Sequence, residues 1–404
     1  MPNVVPSRNP ASESPTQALI EFLIERIAAD PTDGEAKLEL GFALVQRIRE
    51  TADTSLYAPA EAAFAEASRL LPADPRPLIG IGGLRLGRHE FAAALEAGQE
   101  ALEADPTSAS AANVVVDALV ELGRYEEAFA AVEALAAGSA DLSSLARLSY
   151  ARELQGDLPG ALEAMQRAAA SPGLAAENTA FVLAIVGQLQ RLTGDPDAAR
   201  ASYEQALELV PDHGPSLAGL GRLAVGDGDL VAARGFYERA AAILPLPEYV
   251  IALGETLEAA GDTAGARRQY DLARAETELF RASGVVVDLE LSLFEADHGD
   301  AAEALKLAEA AYAAAPTVRA ADALAWALHR SGRDAEAWKR AQEALRLGSL
   351  EPLLQYHAGA IAATLGESEV ARRHLEAALA ADPGFSATGA ADARAILEAL
   401  PAAP

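Results

Sequence analysis

Eight glycines stand at near-regular intervals along this chain: Gly123, Gly156, Gly194, Gly228, Gly261, Gly299, Gly332 and Gly366, spaced 33, 38, 34, 33, 38, 33 and 34 residues apart. A period near 34 constrains the fold more than any other feature, because a unit that short cannot bury its apolar face alone and must stack on copies of itself. The text around the glycines also repeats. "VGDGDLVAARGFYERAAAILP" at 225–245 and "TGDPDAARASYEQALELVP" at 193–211 share Gly, Asp, Ala, Tyr, Ala and Pro at equal offsets. Further copies begin near positions 122, 260, 298 and 365.

Each unit reads as helix, turn, helix. In the first helix, Leu217 and Leu220, or Val250 and Leu253, are followed by Gly221 or Gly254, where a missing side chain lets a neighbour approach. In the second, Ala233, Tyr237 and Ala240 share a face at spacings of four and three. Pro211, Pro245, Pro316 and Pro383 stop the second helices.

These residues resemble the tetratricopeptide repeat, with its pattern W-x2-L-G-x2-Y, then A-x3-F, then P. The best match is Leu217, Leu220, Gly221, Ala233, Tyr237 and Pro245. No Trp stands at the first position, and the units before Gly194 and Gly299 are long. The resemblance covers nearly the whole chain. It implies an all-α, right-handed superhelical solenoid of about ten helix-turn-helix repeats with terminal capping helices. The earliest unit, with Gly41, Ala60, Phe64 and Pro72, carries about seven extra residues near "TADTSLY"; the next has Leu78, Gly82 and Pro106. Residues 1–13, rich in Pro, Ser and Asn, read as a disordered segment. Residues 14–31 read as an N-terminal helix opened by a capping box at Ser14-Pro15-Thr16-Gln17, residues 32–384 as the solenoid, and 385–404 as a C-terminal capping helix and tail.

Composition narrows the function. The 32 basic and 60 acidic residues leave a net charge of −28, which repels nucleic-acid phosphates and anionic lipid, so neither is an expected partner. With no cysteine, the chain has no disulfide, thiolate metal site or cysteine nucleophile. Its apolar runs are too short for membrane insertion. The expected compartment is cytoplasmic; a chain exported after removal of a signal reads the same way.

The motifs that suggest chemistry have plainer readings. Asp227-Gly228-Asp229 lacks the alternating acids of a calcium loop and reads as an inter-helix turn. "GIGGLRLG" at 80–87 has no Lys-Ser/Thr after it and reads as close helix packing. The six histidines lie in different units without ligand spacing. No metal, cofactor or catalytic residue is expected, and the chain is read as a non-enzyme.

The resemblance implies that the first helix of each unit lines a concave groove. Carried onto this sequence, the lining is Asn113, Asp117 and Glu121; Tyr150 and Glu153; Arg191; Arg222; Glu255 and Glu258; Leu289 and Leu293; Arg319, Asp322, Trp326, His329 and Arg330; and Tyr356. Trp326 on the polar stripe of 319–330 reads either as a binding hot spot or as a residue packed between first helices or under the C-terminal helix. The paired lysine and asparagine of the clamp that grips chaperone C-termini are absent, so that adaptor role is not expected. The reading is a non-catalytic scaffold holding a partner polypeptide in the groove, with self-association left open. The alternatives are a structural or assembly protein that uses its convex face or its ends, its groove empty or filled by the C-terminal helix, and a small-molecule-sensing or enzyme-accessory subunit.

Overall fold

A computed structural model describes residues 15–138, 141–171 and 176–401; the segment 1–13 and Ser14 of the capping box lie outside them. The described residues form 22 α-helices, one 3-10 turn and no strand. The chain divides into two compact units: 1–118 with 282–285, and 119–281 with 286–404.

The first unit holds α1 (Pro15–Ala29), α2 (Gly34–Thr51), α3 (Tyr57–Leu70), α4 (Arg76–Gly87), α5 (Phe91–Ala104) and most of α6 (Ala109–Glu121). The extra residues near "TADTSLY" prolong α2 and form a 3-10 turn over Thr54–Leu56. Phe64, fully buried, sits where Gly41 and Gly80 leave room for its ring. Ile20 and Leu23 are the buried residues of α1, which packs on α2.

The second unit continues with α7 (Tyr125–Gly138), α8 (Leu142–Leu154), α9 (Leu158–Ala169), α10 (Ala176–Leu192), α11 (Pro196–Leu209), α12 (Gly214–Gly226), α13 (Leu230–Ile243) and α14 (Pro247–Ala259). It ends with α15 (Thr263–Ala282), α16 (Asp288–His298), α17 (Ala301–Ala314), α18 (Val318–Arg330), α19 (Asp334–Ala344), α20 (Pro352–Thr364), α21 (Ser368–Ala381) and α22 (Gly389–Ala399). Helices α2 to α21 make ten consecutive pairs, each an even-numbered first helix and an odd-numbered second one.

The local chemistry of each pair is repetitive. Gly123, Gly156, Gly194, Gly228, Gly261, Gly332 and Gly366 have φ between 73° and 85°, a left-handed conformation that costs a β-carbon-bearing residue about 1–2 kcal/mol. Gly299 departs from the series at φ −139°; there the Glu295 carboxylate accepts the Asp300 N–H instead. After the turn, Asp157, Asp195, Asp229 and Asp300 cap the second helices by accepting backbone N–H bonds, each worth about 1 kcal/mol. Asp229 is therefore a helix cap, and Asp227 pairs with Arg200 at 3.0 Å. Helices α11, α13, α17 and α21 each end two residues before a proline. The first-helix glycines make room for aromatics: a β-carbon on Gly221 would lie 2.9 Å from Tyr237, and Gly187 and Gly219 accommodate Tyr203 in the same way.

Candidate functional site

Among the first helices of the second unit, α10 touches α12, α16 touches α18 and α18 touches α20, and their exposed sides carry charges of both signs. Arg222, Glu248, Glu258, Asp297 and Arg319 on the first helices are open to water. Burial nevertheless pushes the Glu248 and Asp297 carboxyls above their ordinary range, and Asp297 stays raised although His357 and the Trp326 N–H pull it down. Half-buried Glu153 is raised by burial and then by Glu351. Cations answer part of the charge. Tyr150 first, then Glu351, Glu121 and Glu153, hold Arg319 above its usual value against desolvation. Desolvation would lower Arg222, but Asp382, Tyr237, Tyr203 and Glu248 outweigh it.

Within the second unit, contacts also join pairs far apart in sequence. At the α6–α7 turn, Gly123 lies against Pro316, where a β-carbon would come within 2.9 Å of the carbonyl oxygen. The neighbouring Tyr125 hydroxyl accepts the Val318 N–H at 3.0 Å, and Arg346 spans both, donating to the Pro316 carbonyl with its guanidinium 5.2 Å from the Tyr125 ring centre. At the α8–α9 turn, Gly156 meets the Gly348 carbonyl still more closely. Near the end of α10, buried Arg191 pairs with buried Asp382. The first two of these contacts join a pair to the entry of the pair six places later, and the third joins α10 to the segment before the final helix α22. The segment 382–386 then runs on across α12 and α14. Gly384 abuts the Arg222 carbonyl and Gly226 nitrogen, a place only glycine fits, and the Ser386 hydroxyl donates to Glu255 at 2.8 Å.

The residues expected to line the groove separate into three groups. Asn113 and Asp117, half-buried on α6, belong to the first unit. Glu121, Tyr150 and Glu153 lie near Arg319, whose guanidinium is 5.9 Å from the Tyr150 ring centre; Glu255 takes His298 at 3.3 Å, Glu258 accepts the Tyr270 hydroxyl, and Arg222 stands apart from them on α12. Leu289 and Leu293 are half-buried, Leu293 packing against the C-terminal core.

The third group corrects the hot-spot reading. Trp326 is only 3% exposed; its indole N–H donates to Asp297 at 2.7 Å, and its ring stacks on His357 at 4.1 Å. Asp322 is buried and bonded to His357 at 2.8 Å. Tyr356 is buried, bonded to Asp392 of α22, with its ring centre 5.4 Å from that of Phe385 at a tilt of 40°. His329 pairs with Asp334 of its own turn, and Arg330, though exposed, donates to the Ala296 carbonyl. Arg191 is likewise held by the chain itself. The physical reason is that α18 is enclosed from Ala320 to Leu328 by α16, α17, α19 and α20. The loop before the last helix, with α22, covers α20 at Tyr356. Sequence reasoning missed Glu248, Asp297, Glu351, Asp382 and Gly384. The surplus glycines Gly348 and Gly384, set in inter-pair loops rather than turns, were the available signal.

The family model for the tetratricopeptide repeat matches residues 80–143 and 187–246. The chain is a tetratricopeptide repeat protein. No curated protein sequence matches it. Among solved structures, a monomeric mutant of IFIT1 with Gppp-AAAA is 16% identical, with a TM-score of 0.51 over 82% of this chain and 76% of that one. A human IFIT1 dimer with PPP-AAAA is 16% identical, with a TM-score of 0.49 over 78% and 73%. A tetratricopeptide repeat protein from Parabacteroides merdae is 19% identical, with a TM-score of 0.36 over 64% and 98%. At these identities the likeness is one of fold. Among the described residues, no helix is long and apolar enough to cross a membrane, and no three His, Asp or Glu side chains are grouped to hold a metal.

Proposed function

We propose that this tetratricopeptide repeat protein is a non-catalytic scaffold that holds a partner polypeptide against the first helices of its second unit. The observation that carries the reading is the set of exposed side chains of both signs on those helices, Arg222, Glu248, Glu258, Asp297 and Arg319, with Arg319 5.9 Å from the Tyr150 ring centre. Charges of both signs on these helices suit the amides and charged side chains of a peptide. The IFIT1 structures hold PPP-AAAA and Gppp-AAAA, but here the exposed carboxylates of Glu248, Glu258 and Asp297 and the net charge of −28 oppose a polyphosphate.

A photo-crosslinking amino acid placed at Arg222 or Arg319, with Val231 on the outside as control, tests the reading; Val231 is 85% exposed. Polypeptide adducts from the two inner positions support it. Adducts only from Val231, or nucleic acid at the inner positions, refute it. The burial of Trp326 and Tyr356 by the chain itself favours a second reading, a structural role with contacts on the convex face, and the Val231 outcome selects it.

A further inference from the structure

Helix α1 is half of a pair. It ends two residues before Pro31, as the second helices α3, α5, α11, α13, α17 and α21 end two residues before Pro72, Pro106, Pro211, Pro245, Pro316 and Pro383. It also packs like a second helix, on the first helix that comes next: α1 lies on α2 as α3 lies on α4 and α13 on α14. Among the described residues no first helix precedes it. Aligned on the prolines, α1 shows what that leaves open. Twelve places before the proline, the later helices carry Ala60, Ala94, Ala199, Ala233, Ala304 and Ala371, each fully buried. The residue of α1 at that place is Leu19, 44% exposed. Nine places before the proline, Ala63, Ala97, Ser202 and Leu307 are buried and Phe236 packs beside Leu217 and Ala240. The matching residue of α1 is Phe22, 57% exposed.

The last helix is the other half. Helix α22 packs on α20 and α21 as α20 packs on α18 and α19, which is the place of a first helix. No second helix follows it among the described residues. Its Ala390 and Ala393 are buried, and Ile396, Leu397 and Leu400 are half-buried against the C-terminal core, whereas Ala391, Ala395 and Ala399, one turn apart, are exposed. Within the chain, a first helix with small residues receives the large side chains of its second helix, as Gly221 of α12 receives Tyr237 of α13. The large side chains of α1 lack such a helix, and α22 has a small-residue side that nothing in the chain's own repeat pattern covers. The exposed charges suit the same match. Glu21 and Glu25 are exposed on α1, where Arg26 is held by Asp33; Arg394 and Glu398 are exposed on α22, with Arg373 exposed on α21 behind it.

We propose that copies of this chain associate head to tail, α22 of one copy seating on α1 of the next so that two half-pairs complete one. The occupant of the α1 face is a second copy because that face takes a first helix of the same repeat with small residues outward, and α22 is such a helix. The contact is heterologous: each copy in the series still offers one free half at either end, so association continues past the dimer until a ring closes or the series stays open. This goes beyond the scaffold reading and does not depend on it.

The test uses two variants of the full chain, Phe22→Asp at one end and Ala395→Arg at the other. Both positions are exposed, and circular dichroism checks that each variant keeps its helix content. A contact of one helix pair is small, so a Kd of about 1–100 μM is expected for the wild type, read in sedimentation equilibrium as a mass that rises past the dimer with concentration. Each variant alone is expected to associate about tenfold or more weakly. An equimolar mixture of the two is expected to form dimers and go no further, because Phe22→Asp keeps a working α22 and Ala395→Arg a working α1. A wild type that is still monomeric at about 1 mM overturns the proposal. Ala395→Arg associating as strongly as the wild type overturns it as well, since α1 would then meet something other than α22, such as another α1. Two weakened variants whose mixture stays monomeric also overturn it, because the substitutions would then act separately rather than on two sides of one contact.

Discussion

Removing the Asp382 carboxylate is the most direct test of whether α10 holds the segment before α22 in solution. Arg191 is 6% exposed and its partner carboxylate 2%, so Asp382→Ala leaves a guanidinium with almost no water to replace the lost charge. Arg191 Nε already has no acceptor among the described residues, so the remaining solvation of that group is poor. Stranding one member of a buried pair costs about 3–5 kcal/mol. For a unit of this size, each kcal/mol moves Tm by about 2–4 °C, which predicts a fall of roughly 6–20 °C. The companion variant is Arg191→Leu with Asp382→Ala, which removes both charges and keeps apolar volume. Replacing the whole pair is expected to recover most of the loss, since the desolvation penalty disappears with the attraction. Thermal melts of the wild type, both single variants and the double variant close a double-mutant cycle with an expected coupling of about 2–4 kcal/mol. A coupling below about 0.5 kcal/mol would refute the reasoning, because the two groups would then be independently hydrated and the contact absent.

The turn glycines give an internal comparison. Gly228→Ala pays only for its positive φ, about 1 kcal/mol, whereas Gly156→Ala also drives a methyl into the Gly348 carbonyl and should lose at least twice as much in urea melts; equal losses would mean the α8–α9 turn is free. Trp326→Ala should lower stability by about 3–5 kcal/mol, as core aromatics do, and a variant that melts like the wild type would return Trp326 to the surface. Burial pushes Glu276 up to about 7, so its stabilising neutral form is complete below the unfolded value of 4.5 and is lost as pH rises through 7. Glu276→Gln is accordingly expected to add about 1–3 kcal/mol at pH 8 and nothing at pH 4, measured by denaturant titration at both; the opposite order would reverse the assignment. In the first unit, His89 holds φ 59° where later pairs have glycine, and His89→Gly should gain about 1 kcal/mol in the same assay, an unchanged midpoint counting against strain there.

What the sequence made legible is everything that recurs locally. The glycines at the turns, the aspartates after them, the prolines two residues beyond α11, α13, α17 and α21, and Tyr237 opposite Gly221 all act within one pair, so the pattern of one pair describes the rest. Of the two readings of Trp326, the hot spot failed for the complementary reason. Its own helix presents Arg319, Asp322, His329 and Arg330 beside it, and that stripe looks solvated until Asp297 of α16 and His357 of α20 are placed against it. Arg191 and Asp382 are 191 positions apart by their numbering, and no periodicity within a pair carries the information that they meet. The inward charges fall between these cases: Glu153, Arg222 and Arg319 followed from first-helix positions, whereas Asp297 and Glu248 lie outside the positions used.

An open stack of repeats tolerates the gain or loss of a unit during evolution, because each unit answers only to its neighbours. The bond between Tyr125 and Val318 spans 193 residues and joins units six places apart, so this protein has a second rule to obey. Duplicating or deleting one unit between them would bring a different turn to the entry of α18, with neither Gly123 nor Tyr125 to receive it. A change of copy number between the two ends would therefore cost these contacts as a whole, so length is expected to vary more readily outside that interval, or by replacing loops within it, than by changing the count inside.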